Sequence, residues 1–444
     1  MPTVVKAYLG TTPLFDTTTT TASADWVRPA DWLTLPTATA NSVRGLYAVF
    51  NQAENYVTIQ MQTNDNSTYT IDWGDGTSTT ATSNVLVIKN YNYNNPALDS
   101  TLSTRGYKQA IITVTPQAGK NFSLCRLDVK PTTPAGLQNG MSSGWLDLNL
   151  NLPNLTTGQR LFIGSNSGIM HRMLERINIT SWGAITNLNE LFRNTVSLSS
   201  LNETEWNMAN ITGAANMFFS SGIRRVDGTY WNLANNQNFA NMFRDCPYLR
   251  SVKCANWNTA AGTNFASMFM AAVSLDDIDV SNWNVGNGAN FTYMFQSCRS
   301  LRNINVANWN TSKATLINNM FEGCTALTEI ITTNWTLPLC TNATGFISTC
   351  SNLRKVGPLN LSAVTTYTGS AFAANCYNLN EANFTGIKAS VLFTNCMLGG
   401  TALNALYTGL ATVAGQTITV TGNYGTTADD PSIATGKGWT VTGS

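Results

Sequence analysis

Residues 301–309 read LRNINVANW, and residues 275–283, placed 26 positions earlier, read LDDIDVSNW. Residues 249–257 read LRSVKCANW, so one nine-residue pattern returns at a fixed step. Apolar and polar residues alternate within it, which is the two-residue period of a β-strand. A fixed repeat of about 20 to 50 residues is the signature of a solenoid, in which each repeat forms one coil. The pattern therefore predicts stacked coils with one strand each.

Two other features keep the same step, apart from a first interval of 25 residues (231 − 206 and 242 − 217). Tryptophan recurs at Trp206, Trp231, Trp257, Trp283, Trp309 and Trp335, and a Met-Phe pair recurs at residues 217–218, 242–243, 268–269, 294–295 and 320–321. We interpret the tryptophans as a buried ladder, with an exposed platform for sugar stacking as the alternative. The asparagines before them, Asn256, Asn282, Asn308 and Asn334, are expected to hold turns. The Met-Phe half of each repeat is expected to form a short helix or helical turn, which would make each coil α/β.

A small residue stands three positions after each Met-Phe pair, and its 26-residue step continues beyond the last pair. It is cysteine at Cys246, Cys298, Cys324, Cys350 and Cys376, whereas Ser221 and Ala272 occupy the equivalent positions in other repeats. Cysteine, alanine and serine share small size and not reactivity. We therefore interpret these positions as buried core sites. A disulfide ladder or a zinc site is the less favoured alternative, since no Cys-x-x-Cys occurs.

The repeats can be compared with a known family. The segment at residues 320–327, MFEGCTAL, resembles the BspA-like leucine-rich repeats, which are found in bacterial surface proteins and phage structural proteins. The resemblance implies a leucine-rich-repeat solenoid over residues 131–400. Coils near its two ends depart from the pattern, as solenoid ends usually do.

The segment before the repeats reads as short strands separated by turn residues, which is typical of a β-sandwich. Residues 73–76 read WGDG, and this motif resembles the PKD-type immunoglobulin-like domain. The resemblance implies a spacer or binding module over residues 46–130. Asp72 and Asp75 are expected to hold the turn, with a calcium site as the alternative.

The two ends complete the expected organisation. Residues 1–45 contain a threonine run and scattered prolines, a composition that does not build its own core. They are either a linker-like arm or an anchor to another subunit through Trp26 and Trp32. The predicted fold is multidomain: an irregular N-terminal anchoring arm (1–45), a PKD-like β-sandwich (46–130), an α/β leucine-rich-repeat solenoid with repeats of about 26 residues (131–400) and a C-terminal cap (401–444).

Composition argues against several partners. Charged residues make up 11% of the chain, well below the roughly 25% that is typical of soluble domains. A net charge of +1 gives no general attraction to nucleic acid or to an anionic membrane. The first residues lack a signal-peptide pattern, and no run approaches the roughly 18 apolar residues of a membrane span. We expect neither a nucleic acid nor a membrane as a partner. We also expect the protein to assemble in the cytoplasm of the cell that makes it.

The sequence offers little catalytic chemistry. The one histidine, His171, has no second histidine to form a metal site, and no G-x-S-x-G nucleophile motif occurs. Asp277 and Asp279 share one face of a predicted strand, so they are the best candidates for the two carboxylates of a glycosidase. An open solenoid face does little to desolvate an acid and raise its pKa. We therefore predict no enzyme, and no catalytic, cofactor-binding or metal-binding residues.

The outward strand positions are the better candidate site, because they form ladders at 26-residue steps. One ladder is Arg225, Ser251, Asp277, Asn303 and Glu329, and the other is Asp227, Lys253, Asp279, Asn305 and Ile331. Mixed polar residues of this kind suit a glycan or a protein partner. The alternative is a solvated face without a ligand.

The whole chain resembles structural proteins of tailed phages, notably those of marine cyanobacteria. The features that carry this resemblance are the MPTVVKAYLG start, residues 32–36 (WLTLP), the WGDG motif and the BspA-like coils. It implies a non-enzymatic virion protein on the particle surface, either a capsid decoration or a tail or fibre component, that attaches the particle to its host through the solenoid. Its partners would be other virion proteins and a host glycan or protein; a homo-oligomer is left open. The alternatives are a bacterial surface adhesin and a tailspike polysaccharide depolymerase.

Overall fold

A computed structural model describes residues 26–129, 143–158, 160–164, 171–367 and 372–444, and the backbone of two short strands before them. The strands are β1 Tyr8–Leu9, β2 Thr12–Pro13, β3 Ser42–Val49, β4 Tyr56–Thr63, β5 Tyr69–Asp72, β6 Ser78–Ala81, β7 Val87–Asn90, β8 Lys108–Pro116, β9 Phe122–Arg126, β10 Trp145–Asn151, β11 Arg160–Phe162, β12 Arg176–Ser181, β13 Ser200–Leu201, β14 Arg225–Asp227, β15 Ser251–Lys253, β16 Asp277–Ile278, β17 Glu329–Ile331, β18 Lys355–Asn360, β19 Glu381–Thr385, β20 Val391–Leu392, β21 Gln416–Thr419 and β22 Trp439–Thr442. The helices are α1 Gly400–Gly409 and α2 Ser432–Thr435, with 3₁₀ turns at Pro96–Thr101 and Glu203–Glu205.

The predicted solenoid is confirmed by the register of its coils. Strands β14, β15 and β16 pair in parallel, and Val226 faces Val252, which faces Ile278, at steps of 26 residues. Parallel sheets β17-β18-β19 and β20-β21-β22 follow. A row of isolated parallel bridges joins Asn238 to Asn264 and onward to Asn290 on another side of each coil. Each coil is therefore tied to its neighbours at several points around its circumference.

The Met-Phe half of each coil corrects the expected α/β class. It is a run of tight turns and not a helix, so the solenoid is mostly β. Met242 N donates to Phe239 O of its own coil at 3.2 Å, whereas Phe243 N donates to Met268 O of the next coil at 2.8 Å. Left-handed backbone recurs at Asn216, Asn241, Ser267, Tyr293 and Asn319. A helix needs right-handed φ at every residue, and in the part of the chain that the structure describes, helices form only within residues 400–435.

The interpretation of the tryptophans as a buried ladder is confirmed. One apolar core runs from the N-terminal strands to β22 and includes all six repeat tryptophans. Neighbouring rings such as Trp231 and Trp257 stack with their centroids 5.4 Å apart. The indole Nε1 of Trp283 donates to Cys254 O of the preceding coil at 2.9 Å, and that of Trp309 donates to Val280 O at 2.9 Å. Each ring thus fills the core and also satisfies a backbone carbonyl.

The repeat cysteines are small buried core positions, as expected. All nine cysteines of the chain are free and buried. The thiol of Cys324 donates to Phe295 O of the preceding coil at 3.0 Å, and the thiol of Cys350 donates to Phe321 O at 2.9 Å. The thiols therefore form a second ladder of bonds between coils.

The N-terminal strands form two sheets that run into the solenoid without a break. The larger has the order β13-β12-β10-β3-β8-β5-β6, and the smaller has the order β11-β9-β4-β7. Strand β3 lies between β8 and β10 and is antiparallel to both, whereas β10 pairs in parallel with β12. The expected boundary at residue 130 lies outside the described residues, but both sheets span it. The expected end of the arm at residue 45 falls inside β3, which begins at Ser42.

The chain before β3 lies on the outer face of the larger sheet. The side chain of Trp32 is only 5% exposed, and its Nε1 donates to the hydroxyl of Tyr107 at 2.9 Å. The guanidinium groups of Arg28 and Arg105 lie over the Trp32 ring, 5.4 and 5.7 Å from its centroid. Residues 26–41 are therefore docked on this chain's own sheet. The earlier part of the arm, with its threonine run, lies outside the described residues.

Candidate functional site

The strand face, defined here as the outward side of β14, β15, β16 and the equivalent segments of later coils, carries the predicted binding residues. Alternation along each strand decides which side chains reach it. In the coil of β15, Val252 and Cys254 point into the core, whereas Ser251 and Lys253 point outward. The same alternation places Asp277 beside Ser251, its partner in β16.

Four of the ten predicted binding residues surround one shallow depression of about 260 Å³ on this face. These four are Ser251, Lys253, Asp277 and Asp279, and Thr229 and Asn256 line its other side. Of the other six, Asn303, Asn305 and Glu329 are exposed on later coils, Arg225 and Ile331 are half-buried, and Asp227 is buried. The structure therefore separates the predicted set into a compact group and an extended strip.

One edge of the depression is held by an ion pair. Lys253 Nζ lies 2.6 Å from Asp227 Oδ2, while the other carboxylate oxygen of Asp227 accepts hydrogen bonds from Thr229 N at 3.2 Å and Thr229 Oγ1 at 2.5 Å. Burial alone would raise the pKa of Asp227, but these bonds outweigh it and leave the pKa below its usual range. Asp227 thus orients Lys253 and remains ionised.

The two aspartates of the depression lack the environment of a catalytic acid. Asp279 Oδ1 accepts hydrogen bonds from Ser281 Oγ at 2.6 Å and Ser281 N at 2.9 Å, and these bonds lower the pKa of Asp279. Both Asp277 and Asp279 are exposed. A general acid in a glycosidase needs a raised pKa to hold its proton near neutral pH. The surroundings of Asp279 therefore suit an ionised hydrogen-bond acceptor.

Sequence reasoning missed Glu203, which lies against Asp227 in the preceding coil. Its Oε1 accepts the N–H of Asp227 at 3.1 Å, and its main-chain oxygen accepts Trp231 Nε1 at 2.8 Å. The side chain is 2% exposed, and this burial raises the pKa of Glu203 to about 7. The acceptors for the next two tryptophans are Gly228 and Cys254, so Glu203 occupies a core row. A carboxylate in an otherwise apolar or small row is the signal that could have revealed it.

The strand expected at residues 301–306 does not form. Within residues 279–328, all of which the structure describes, the sheet ends at β16 and resumes only at β17. Ring centroids of Trp283 and Trp309 are 6.3 Å apart, against 5.4 Å for Trp231 and Trp257. The corresponding Phe rings on the turn side stay within 5.6 Å. The coils therefore separate slightly on the strand face, where Asn303 and Asn305 lie.

The asparagines before the tryptophans lie in turns, and part of the expected ladder is present, since Asn334 Nδ2 donates to Asn308 Oδ1 of the preceding coil at 3.1 Å. Asn256, Asn282, Asn308 and Asn334, which precede the tryptophans, are exposed. The asparagines that follow the tryptophans close the next turn with their side chains: Asn258 Oδ1 accepts Ala260 N at 3.1 Å, and Asn284 Oδ1 accepts Gly286 N at 3.1 Å. An asparagine side chain bonds to the backbone two residues further on. Asn256 and its equivalents lie within an earlier turn, which a main-chain bond closes, from Trp257 N to Cys254 O at 3.0 Å.

The remaining candidate residues have structural surroundings. Asp75 Oδ1 accepts Thr77 N at 3.1 Å and its Oδ2 pairs with Lys89 Nζ at 2.8 Å, and Asp72 Oδ1 accepts Gly74 N at 2.9 Å. Both carboxylates therefore hold the turn, as expected. Across the described ranges, no three His, Cys, Asp or Glu side chains are arranged to bind a metal. None of the helices described is long and apolar enough to cross a membrane.

The histidine and the proposed anchoring tryptophans are engaged within the chain. His171 is buried with its Nδ1 2.6 Å from Ser143 Oγ, and burial lowers the pKa of His171 to about 4. Trp26 is half-buried, and its Nε1 donates to Glu175 Oε2 at 3.1 Å. With Trp32 bonded to Tyr107, neither indole N–H is left for a direct bond to another subunit. Anchoring by the arm as a whole stays a hypothesis.

Comparison with known proteins supports the repeat solenoid. Residues 166–252 and 224–335 match a family described as "Mycoplasma protein of unknown function, DUF285". The two matches overlap and cover less than half of the chain, and they fit the BspA-like repeat interpretation of these coils. No curated protein matches the chain.

A solved structure described as "Crystal structure of TLR13-ssRNA13 complex" is also similar to the chain. The identity is 12%, the similarity covers 63% of this chain and 46% of that chain, and the TM-score is 0.23. The chain thus spans about half the length of that protein. A TM-score this low supports no inference about what this chain binds.

Proposed function

We propose that this chain is a non-enzymatic binding protein whose solenoid presents the strand face to a partner. The observation that best supports this proposal is a contrast between the inward and the outward row of residues on the same strands. The inward row repeats one chemistry, with Val226, Val252, Ile278, Ile304 and Ile330. The neighbouring outward row changes at every coil, with Arg225, Ser251, Asp277, Asn303 and Glu329. A regular frame that displays a non-repeating surface suits one specific partner better than a solvated face.

The frame also favours binding energetically. The core ladders fix each coil against the next, so the outward side chains project from a rigid surface. A rigid surface loses little conformational entropy on binding, which leaves more of the contact energy as affinity. The mixed polar character of the ladders fits a host surface glycan or protein.

We propose further that the chain belongs to a phage particle, as a capsid decoration or as part of the tail or a fibre. The resemblance to tailed-phage structural proteins supports this proposal. The N-terminal part, including a PKD-like sandwich, would attach the chain to other virion proteins and let the solenoid project. The turn geometry of Asp72 and Asp75 and the buried ring of Trp73 support the PKD-like assignment.

Binding through the strand face can be tested with purified, fluorescently labelled protein and host cells. Asn303→Arg places a long charged side chain on the strand face and should reduce cell binding by about tenfold. Leu339→Arg is the matched control, because Leu339 is exposed in the turn after Trp335 and lies off the strand face. Equal binding by both variants would contradict the proposal.

The virion assignment is tested by cryo-electron microscopy of purified particles. Density for this chain on the capsid lattice would support decoration, and density at the tail tip would support receptor binding. A chain that is missing from the particles would reject the assignment and favour a bacterial adhesin. Incubation of the protein with host polysaccharide should release no new reducing ends; their release would support a depolymerase instead.

A further inference from the structure

One strongly exposed aromatic ring stands beside the depression on the strand face. Tyr230 is 76% exposed. It directly follows Thr229, and it occupies the same place in its coil as Asn256 does in the next coil, since Trp231 and Trp257 stack one residue later. Thr229 and Asn256 both line the depression. Tyr230 is therefore flanked on two sides by lining residues, so this exposed residue is a neighbour of the depression.

The sequence pattern makes this tyrosine unusual. The equivalent positions in the following coils are Asn256, Asn282, Asn308 and Asn334. A large ring that is left in water forgoes the free energy of burying its apolar surface. Among these five coils, only the coil of Tyr230 has an aromatic ring directly before its tryptophan. This coil also borders the depression.

The depression itself supplies a second kind of recognition. Asp277 and Asp279 present carboxylates, Ser251 a hydroxyl and Asn256 an amide. The hydrogen bonds from Ser281 keep Asp279 ionised. Carboxylates accept hydrogen bonds strongly, whereas amides and hydroxyls both donate and accept. This mixture matches a ligand that carries several neighbouring hydroxyl groups.

We propose that Tyr230 and the depression form a carbohydrate-binding subsite for one pyranose unit of a surface glycan. The tyrosine ring stacks on the apolar C–H face of the sugar. Asp277 and Asp279 accept hydrogen bonds from its hydroxyl groups, and Asn256 and Lys253 donate to its oxygens. The subsite rests on the proposed function, because it names the class of partner that the strand face takes.

Charge and size favour a sugar over other ligands. Two carboxylates within the depression repel the phosphates of a nucleic acid. A depression of about 260 Å³ is close to the lower end of the roughly 300–1,000 Å³ of small-molecule sites. A single sugar ring needs one stacking surface and a few hydrogen bonds, and both are present.

The test is binding of the full chain to a printed array of bacterial capsular polysaccharides and lipopolysaccharide O-chains. The wild type should bind at least one glycan. Tyr230→Ala should weaken that binding about tenfold, which corresponds to about 1.4 kcal/mol, and Tyr230→Phe should restore it because the ring remains. The matched control is Tyr377→Ala, since Tyr377 is 57% exposed and lies five coils further along.

Each outcome decides the proposal. Binding to no glycan on the array, or equal binding by the Tyr230→Ala and Tyr377→Ala variants, overturns the subsite. Host cells separate this failure from failure of the proposed function. Periodate treatment, which cleaves vicinal diols, should abolish cell binding, whereas protease treatment should not. Cell binding that survives periodate but is lost after protease overturns the subsite and leaves the strand face as a protein-binding surface.

Discussion

Some residues of each coil are fully buried and others are exposed, and Trp283 is one of the buried residues. Its ring is 3% exposed between two neighbouring indoles, and its Nε1 is bonded to a carbonyl. Trp283→Ala should lower the free energy of unfolding by about 3–5 kcal/mol, because it leaves a large cavity. It also leaves the carbonyl of Cys254 without its donor. Urea unfolding would measure the change, and Tyr230→Ala, at an exposed site, should stay within about 0.5 kcal/mol of the wild type.

The raised pKa of Glu203 predicts that the free energy of unfolding depends on pH. Its pKa of about 7 lies above the ordinary value of 4.5. Between these values the folded protein retains a proton that the unfolded chain has released, so this residue's contribution to stability falls as pH rises from about 4.5 to about 7. The full effect is on the order of 3 kcal/mol.

Glu203→Gln should remove this part of the pH dependence, because an amide can still accept the N–H of Asp227 but cannot ionise. The variant should therefore be more stable than the wild type at about pH 8 and similar to it at about pH 4. Urea midpoints measured across this range provide the comparison. Parallel curves for the two proteins would show that Glu203 has an ordinary pKa.

At the scale of elements, the sequence predicted the coil repeat and its buried rows because these depend on hydrophobic spacing. The Trp, Phe and Cys rows fall in the core as expected. The turn half was expected to form a short helix or helical turn, and the helix does not form, because apolar spacing alone does not show where the backbone turns left-handed. Residues such as Asn241 and Asn319 adopt that conformation, which asparagine tolerates better than most residues. An asparagine before the Met-Phe pair is therefore the local signal that was overlooked.

The absence of a strand at residues 301–306 predicts faster hydrogen exchange in this segment. Its backbone amides lack the strand pairing that β15 has with β14 and β16. Amide hydrogens without stable hydrogen bonds exchange faster with solvent. Hydrogen exchange read by mass spectrometry should show faster uptake in peptides covering residues 303–306 than in those covering residues 251–254. Similar protection of the two segments would mean that the sheet is continuous in solution.

At the scale of the molecule, the continuity of the N-terminal sheets with the solenoid was not foreseeable from local patterns. Strand β3 is distant in sequence from β10, and pairing between strands so far apart leaves no local signature. The outward ladders of the strand face were predicted, but the depression beside them required knowing which residues meet across adjacent coils. Glu203 was missed for the same reason, since its burial depends on a neighbouring coil.

The shared sheet predicts that the solenoid does not fold properly by itself. A fragment of residues 143–444 lacks β3, and it therefore exposes the edge and one face of β10, whose residues are almost all buried in the full chain. Unpaired, apolar edges promote aggregation. The fragment should be insoluble or much less stable than the full chain, by size-exclusion chromatography and thermal unfolding. A soluble monomeric fragment with an unchanged melting temperature would establish two independent domains.

The ladders between coils also have a mechanical consequence. Bonds such as Phe243 N to Met268 O and Trp283 Nε1 to Cys254 O run from one coil to the next. A force along the stack loads all the bonds of one junction together, so the junction resists until they fail as a group. Each coil that is peeled away then frees 26 residues, which extend to roughly 90 Å. A chain that tethers a particle, as proposed above, would therefore yield under shear in discrete steps and dissipate the pull gradually.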